Sequence, residues 1–260
     1  MIFLYVGSDQ IWSTAEEKID SFYYLQFSNN KKKISYAPSI GKKLIGEKVK
    51  SQFIKYVKEF DFLSVREKTA ANIINDSLNI MPKVVADPTL LFTDVEWCEL
   101  LNLKENYDKD EYIFAYFLTK NKNYYKVVRK FAKKNGLRII SNIELRESCG
   151  EETVMDTSDF VNYLKNAKYV FTDSYHGLIF SIIFNKQFLL FLRHQDDDKM
   201  SENSRIYDLL YICNLKHRIF DSTKSIDFQL SNKIEYLLVQ NNLENFIEKS
   251  KKYLEDALKY

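Results

Sequence analysis

Residues 168–192, KYVFTDSYHGLIFSIIFNKQFLLFL, decide the fold. Lys168–Thr172 reads as a short apolar strand, and Asp173 to Gly177 turn it into an almost wholly apolar helix over Leu178–Phe184. Phe188–Leu192 is a second apolar strand. Near-continuous apolar residues such as Tyr169–Phe171 are what a sheet covered on both faces requires. Strand, helix and strand in succession imply parallel pairing through a right-handed crossover. A helix that is apolar all round is buried, so its N-terminus opens at the edge of a packed sheet. Unpaired N–H groups and the positive dipole end attract an anion there. Gly177 lets backbone approach closely. His176, one of 3 histidines, stands where a proton donor would face that anion. The same residues have a plainer reading, in which Asp173 or Ser174 is an N-cap and His176 a satisfied core histidine. Both readings stay open at this level.

The pattern extends in both directions. Upstream, strands are predicted at Ile2–Val6, Lys33–Ala37, Phe62–Val65, Val84–Ala86, Tyr112–Phe117 and Leu137–Ser141. Helices are predicted at Glu47–Glu59, Glu67–Ile74, from Thr93 with capping-box spacing to Glu96, at Asn123–Asn135 before Gly136, and at Ser158–Ala167. Downstream, Arg205–Cys213 is a helix, and the chain finishes in two helical stretches, Ile226–Gln240 and Leu243–Leu258. The polar, charged run Asn102–Asp110 divides the alternation. The expectation is an α/β protein of two Rossmann-like lobes with parallel sheets and a cleft between them, residues 1–104 and 105–260.

Composition excludes several classes. The chain has 260 residues, 45% hydrophobic and 28% charged, as a soluble protein with a real core does. A net charge of +2 gives no global field aimed at nucleic acid. The 18 Tyr and 19 Phe are read as core filling. Cys98, Cys149 and Cys213 are odd in number and far apart, which suggests neither disulfides nor zinc and fits a reducing, cytoplasmic setting. The longest apolar stretch, Leu178–Leu192, is interrupted by Asn185-Lys186-Gln187 and is too short for the ~20 apolar residues of a membrane span.

In open parallel sheets, ligands sit beyond the carboxyl ends of strands. Four such ends are polar in an organised way: Gly7-Ser8-Asp9-Gln10, Ser64-Val65-Arg66-Glu67, Asp87-Pro88-Thr89 and Thr172 to Gly177. Each has a structural alternative. Ser64 and Glu67 have capping-box spacing, which would leave Arg66 solvated. Asp87-Pro88 is a plausible turn.

With these segments in hand, the sequence resembles the polysaccharide pyruvyl transferases. The matching pieces, in order, are VGSDQIW (Val6–Trp12), ISYAPSIG (Ile34–Gly41), SVRE (Ser64–Glu67), ADPTLLF (Ala86–Phe92), TDSYHGLIFSIIFNKQF (Thr172–Phe188) and SRIYDLL (Ser204–Leu210). The resemblance implies a glycosyltransferase-B-like fold. It implies transfer of an enolpyruvyl unit from phosphoenolpyruvate, a co-substrate, to a sugar of a cell-surface polysaccharide or its precursor, giving a pyruvate ketal. Arg66 and His176 are the implied functional pair. Arg recognises phosphate and carboxylate bidentately, and His exchanges protons near neutral pH. Ser8, Asp9, Gln10, Asp173, Ser174, Tyr175, Gly177 and Arg205 are the expected substrate-binding residues. No cofactor or metal is required, and the Asp196–Asp198 run reads as a solvated loop.

Two departures bear on this. Many members carry a basic residue two positions before the His; here it is Ser174, so that anion contact is missing or supplied elsewhere, with Arg205 and Arg193 as candidates. Members also have a substantial stretch before the GSDQIW strand, so either the first lobe is incomplete, or the missing part comes from another chain or lies beyond a fragment boundary; an incomplete lobe favours homo-oligomers. The competing functions are a nucleotide-sugar-dependent glycosyltransferase and a truncated, non-catalytic homologue.

Overall fold

The computed structural model describes residues 3–14, 18–28, 31–103, 111–142, 151–152, 155–194 and 201–259. Residues 104–110 of the charged run, Cys149 and Asp196–Asp198 lie outside the described residues. The chain groups into two compact units. Unit 1 takes Met1–Leu91, His194–Asn214 and Gln240–Tyr260; unit 2 takes Phe92–Arg193 and Leu215–Val239.

Unit 1 is built on parallel strand pairs. Strand β1 (Phe3–Val6) pairs with β2 (Lys32–Ser35), and β3 (Ser64–Val65) pairs with β4 (Lys83–Val84), both in parallel. A parallel bridge between Ile34 and Phe62, with Ser35 N–H donating to the Phe62 carbonyl at 2.9 Å, joins the pairs edge to edge. Helix α1 (Glu47–Val57) turns Val49, Phe53 and Val57 inward, as its apolar spacing requires. Helix α2 (Lys68–Leu78) starts one residue beyond the predicted Glu67 and runs four past Ile74. Its first N–H, on Lys68, is capped from a distance by the Asp208 carboxylate at 2.7 Å. Trp12, wholly buried, stacks on Tyr24 with ring centroids 5.2 Å apart and meets Phe53 and Phe60 edge-on. The buried aromatic residues fill the core here, each worth roughly 1.5–3 kcal/mol of burial, while Tyr5, Phe22, Tyr23 and Phe27 are exposed.

Unit 2 opens with α3 (Asp94–Leu100), where Thr93 and Glu96 form the predicted capping box. Strand β5 (Tyr112–Tyr116), α4 (Lys122–Asn135), β6 (Arg138–Ser141), β7 (Glu151–Glu152) and α5 (Thr157–Asn166) follow. Then come β8 (Tyr169–Thr172), α6 (Tyr175–Ile183) and β9 (Gln187–Leu190). Helix α4 ends at Gly136 in the left-handed region at φ 62°, as its sequence signal requires. All five strands are parallel, in the order β7-β6-β5-β8-β9. From β5 the sheet grows outward in one direction through β6 and β7, and in the other through β8 and β9. The order therefore reverses between β5 and β8. Phe117, Phe171, Phe191 and Ile113, each fully buried, form the core beneath it with Val128 of α4.

The C-terminal segment corrects one expectation. Helix α7 (Ser204–Ile212) falls where predicted, but Ile226–Gln240 is not a single helix. The chain forms a short α8 (Ile226–Ser231), breaks at Asn232, and resumes as one continuous α9 (Tyr236–Lys259). Buried Arg218 caps the break: its guanidinium donates to the Gln229 and Asn232 carbonyls and to Gln187 Oε1, taking up carbonyls that the helix end leaves without partners.

Candidate functional site

In unit 2 the position where strand order reverses is where an open parallel sheet forms a ligand crevice. Asp173 follows β8 there and is completely buried. Its carboxylate accepts the Leu118 N–H at 2.7 Å, the Thr119 N–H at 3.0 Å and the Thr119 hydroxyl at 2.5 Å, so the loop after β5 is clasped to the end of β8. Asp173 thus shapes the crevice, with both oxygens engaged by protein. Thr172 reinforces the clasp by donating its hydroxyl to the Tyr116 carbonyl at 2.7 Å and accepting the Ser174 N–H at 3.0 Å.

Ser174 is the N-cap of α6, accepting the Gly177 N–H at 3.3 Å. The helix therefore starts at Tyr175, three residues before the predicted Leu178, and His176 lies in its first turn. The side chain of His176 is partly buried, and its ring meets that of Tyr175 edge-on, centroids 5.8 Å apart. Gly177 is explained by packing. A Cβ there would sit 2.5 Å from Thr172 Oγ1 and 3.0 Å from its Cγ2, so any side chain would wedge the helix off the strand end.

Arg193, just past β9, completes this group. Its Nε donates to the Asp173 carbonyl at 3.0 Å and lies 3.8 Å from Oδ1, and the side chain keeps 20% exposure. Burial raises the pKa of the neighbouring Tyr116 phenol; Arg193 opposes that shift and Asp173 adds to it. Of the two arginines considered for the missing basic contact, Arg193 is the one in the same unit as His176. A cation, a helix N-terminus and an imidazole at one strand end suit an anion that must also receive a proton.

In unit 1 the structure brings three of the sequence's polar strand ends together. Arg66, whose side chain is wholly buried, donates from Nη1 to Asp87 Oδ2 at 2.6 Å and approaches Ser8 Oγ at 3.4 Å. Its Nη2 lies 3.6 Å from Asp9 Oδ1. Ser8 Oγ lies 3.0 Å from the Ala37 carbonyl and 3.1 Å from Asp87. Asp9 adopts φ 78° and keeps its side chain 65% exposed. The alternative reading of Ser64–Glu67 as a capping box that leaves Arg66 solvated is corrected. Ser64 is a strand residue, and Glu67 turns to Ser39, Ile40 and Gly41, accepting their hydroxyl and N–H groups at 2.9–3.0 Å. Burial raises the Glu67 pKa, against the lowering effects of Arg66 and these three donors. Gly41 sits at φ 71°, and a Cβ on it would strike Gln10 Nε2 at 2.5 Å, so Gln10 packs flat on the same turn. Arg205 belongs to unit 1 as well, buried at the start of α7 with Nη2 3.5 Å from Glu202. Arg66 and Arg205 thus belong to unit 1 and His176 and Arg193 to unit 2.

The strand-end rule selected Asp87-Pro88-Thr89, but its reading as a turn kept Asp87 out of the expected site residues; the structure makes it the anchor of Arg66. Among the described residues no group of three or more His, Cys, Asp or Glu side chains is placed to hold a metal ion.

Comparison with known proteins follows the same lines. The sequence model of the polysaccharide pyruvyl transferase family matches residues 2–196. The structure is similar to a co-structure of S. aureus MnaA with UDP, at TM-score 0.53 and 15% identity over 98% of this chain and 70% of that one. It is also similar to a variant of the wall teichoic acid polymerase TagF, at TM-score 0.50 and 14% identity over 89% of this chain and 70% of that one. At such identities the likeness is one of fold, mixed α/β with parallel sheets and glycosyltransferase-B-like. No curated protein matches the sequence.

Proposed function

The chain belongs to the polysaccharide pyruvyl transferase family, and from that premise we propose that it moves the enolpyruvyl unit of phosphoenolpyruvate onto two hydroxyls of one sugar. Membership makes it a transferase-type protein of polysaccharide modification; donor, acceptor and residue roles are our reading. The observation that carries it is the position of His176, in the first turn of the helix leaving β8 at the reversal point of the sheet.

The chemistry requires few groups. Carbon 3 of phosphoenolpyruvate takes a proton, a sugar hydroxyl attacks carbon 2, and the bond from carbon 2 to the phosphate oxygen breaks. A second hydroxyl then closes the ketal on carbon 2. Two hydroxyl protons are released; one replaces the proton given to carbon 3 and the other leaves with phosphate. His176 is the proton donor and acceptor in this scheme, a role worth roughly 10²–10⁴-fold. Arg193 and the α6 N-terminus hold the anionic donor. Within unit 1, Arg66 is held in place by its pair with Asp87. Cys98 and Cys213 are free thiols, which supports a reducing, cytoplasmic setting. Among the described residues no helix is long and apolar enough to cross a membrane.

The test is incubation with phosphoenolpyruvate and a panel of glycans, following phosphate release and acceptor mass together. Phosphate release that depends on acceptor and accompanies a pyruvylated acceptor is the expected result. Release of a nucleoside diphosphate from a nucleotide sugar, with phosphoenolpyruvate untouched, would replace this reading by that of a glycosyltransferase.

A further inference from the structure

Unit 1 holds a cavity of about 590 Å³ beside the carboxyl end of β1, within the ~300–1,000 Å³ of small-ligand sites. Its polar lining is Asp9, Gln10, Ser13, Lys18, Asp20 and Tyr23. We infer that this cavity is an acceptor-sugar subsite, with Tyr23 as the face on which the sugar ring stacks and Asp9 as a hydrogen-bond acceptor for a sugar hydroxyl. The inference rests on the pyruvyl-transfer reading only for the word acceptor; the sugar site stands on its own geometry.

Four observations carry it. The lining sets two carboxylates against one amine, with the Arg66 guanidinium 3.6 Å from Asp9, so the balanced charges select no ion and suit a neutral ligand rich in hydroxyls. Carboxylate and amide oxygens accept from hydroxyls, and the amine and amide N–H groups donate to them.

Tyr23 is 39% exposed, yet its backbone is locked, because its carbonyl accepts the Nε1–H of wholly buried Trp12 at 3.0 Å. An exposed ring on a fixed backbone is a preorganised platform. Asp20, which holds the Phe22 N–H at 2.9 Å as cap of the 3-10 turn Ser21–Tyr24, is fixed in the same way.

Asp9 joins the cavity to the buried cation of this unit. Its left-handed backbone, φ 78°, is a conformation that side chains other than glycine adopt at a cost and that clusters at functional sites. The turn is held by Ser39 N–H donating to the Asp9 carbonyl at 2.8 Å and by Gln10 N–H donating to Oδ1 at 2.9 Å. The same Oδ1 is 3.6 Å from the Arg66 guanidinium. A hydroxyl donated to Asp9 from the cavity therefore arrives next to the buried cation of this unit.

The probe is a panel of methyl glycosides of glucose, galactose, mannose and N-acetylglucosamine, with binding read by ligand-observed NMR on the full chain. The ring of Tyr23 is exposed and Trp12 bonds only its carbonyl, so Tyr23→Ala retains the fold, checked by an unchanged melting temperature. At least one glycoside is expected to bind, Tyr23→Ala to weaken it about tenfold, and Tyr23→Phe to stay within about twofold. Phosphoenolpyruvate binding is expected to be the same in all three proteins. No glycoside bound by the wild type, or equal binding by Tyr23→Ala, overturns the subsite. Glycoside binding that depends on Tyr23 in a protein that neither binds nor cleaves phosphoenolpyruvate upholds the sugar site and removes the pyruvyl-transfer reading instead.

Discussion

The Asp173 carboxylate and the Thr119 hydroxyl meet at 2.5 Å across the line where the strand order of the five-stranded sheet reverses. One residue follows β8 and the other follows β5, so the contact ties the two strand ends together beside the start of α6. The Leu118 and Thr119 N–H groups donate to the same carboxylate. Hydrogen bonds to a buried charge are the strong kind, about 1.5–3 kcal/mol each.

Asp173→Ala is expected to lower the unfolding free energy by about 2–4 kcal/mol, since the part-buried Leu118 and Thr119 N–H groups and the Thr119 hydroxyl lose a wholly buried acceptor. Urea denaturation followed by circular dichroism measures it. A loss under about 1 kcal/mol would mean that water replaces the carboxylate and that the clasp is not structural.

Gly177 and Thr172 form a second pair. Gly177→Ala puts a Cβ 2.5 Å from Thr172 Oγ1 and is expected to cost about 1–3 kcal/mol by overpacking. Thr172→Ala removes Oγ1 and Cγ2, so the double variant should be more stable than the sum of the single losses predicts. A double-mutant cycle gives the coupling, expected at about 1 kcal/mol or more. Simple additivity would contradict the packing account.

Glu67 gives the pH dependence. Burial raises its folded pKa above the ordinary value of 4.5, so the folded state holds the proton more tightly than the unfolded chain. Its contribution is fully present below the unfolded pKa and is lost as pH rises through the folded pKa. Glu67→Gln keeps an acceptor oxygen for Ser39, Ile40 and Gly41 and does not titrate. The variant should therefore gain stability relative to wild type as pH rises above 4.5, measured as melting temperature against pH. Glu67→Ala, which orphans buried donors, should lose stability at every pH. An unchanged difference between wild type and Glu67→Gln across the range would show that Glu67 keeps an ordinary pKa.

Much of this was legible in the sequence because the carrying signals are local. The apolar runs of β5, β8 and β9, the Thr93–Glu96 box and Gly136 each declare themselves within a few residues. So does the strand-end rule that selected Ser8, Asp9, Arg66 and His176. What was hidden depends on partners far along the chain. Asp87 reads as the start of a turn, yet it meets Arg66 at a separation of 21 positions and Ser8 at 79. Glu67 has capping-box spacing to Ser64 but is used by residues 26 to 28 positions earlier. The start of α6 was placed late because Tyr175, His176 and Gly177 interrupt the apolar run, although Ser174 was the cap signal. The break between α8 and α9 is capped by Arg218, whose side chain no periodicity registers. Tyr23 sits in a segment without a repeating pattern, so its cavity emerges only in three dimensions.

The central claim is that His176 moves the protons of pyruvyl transfer from the end of β8. The most direct measurement is the initial rate of acceptor-dependent phosphate release from phosphoenolpyruvate, wild type against His176→Ala, with the melting temperatures of both matched. A fall of about 10²–10⁴-fold is the predicted result. A rate within a few fold of wild type in the folded variant would contradict it.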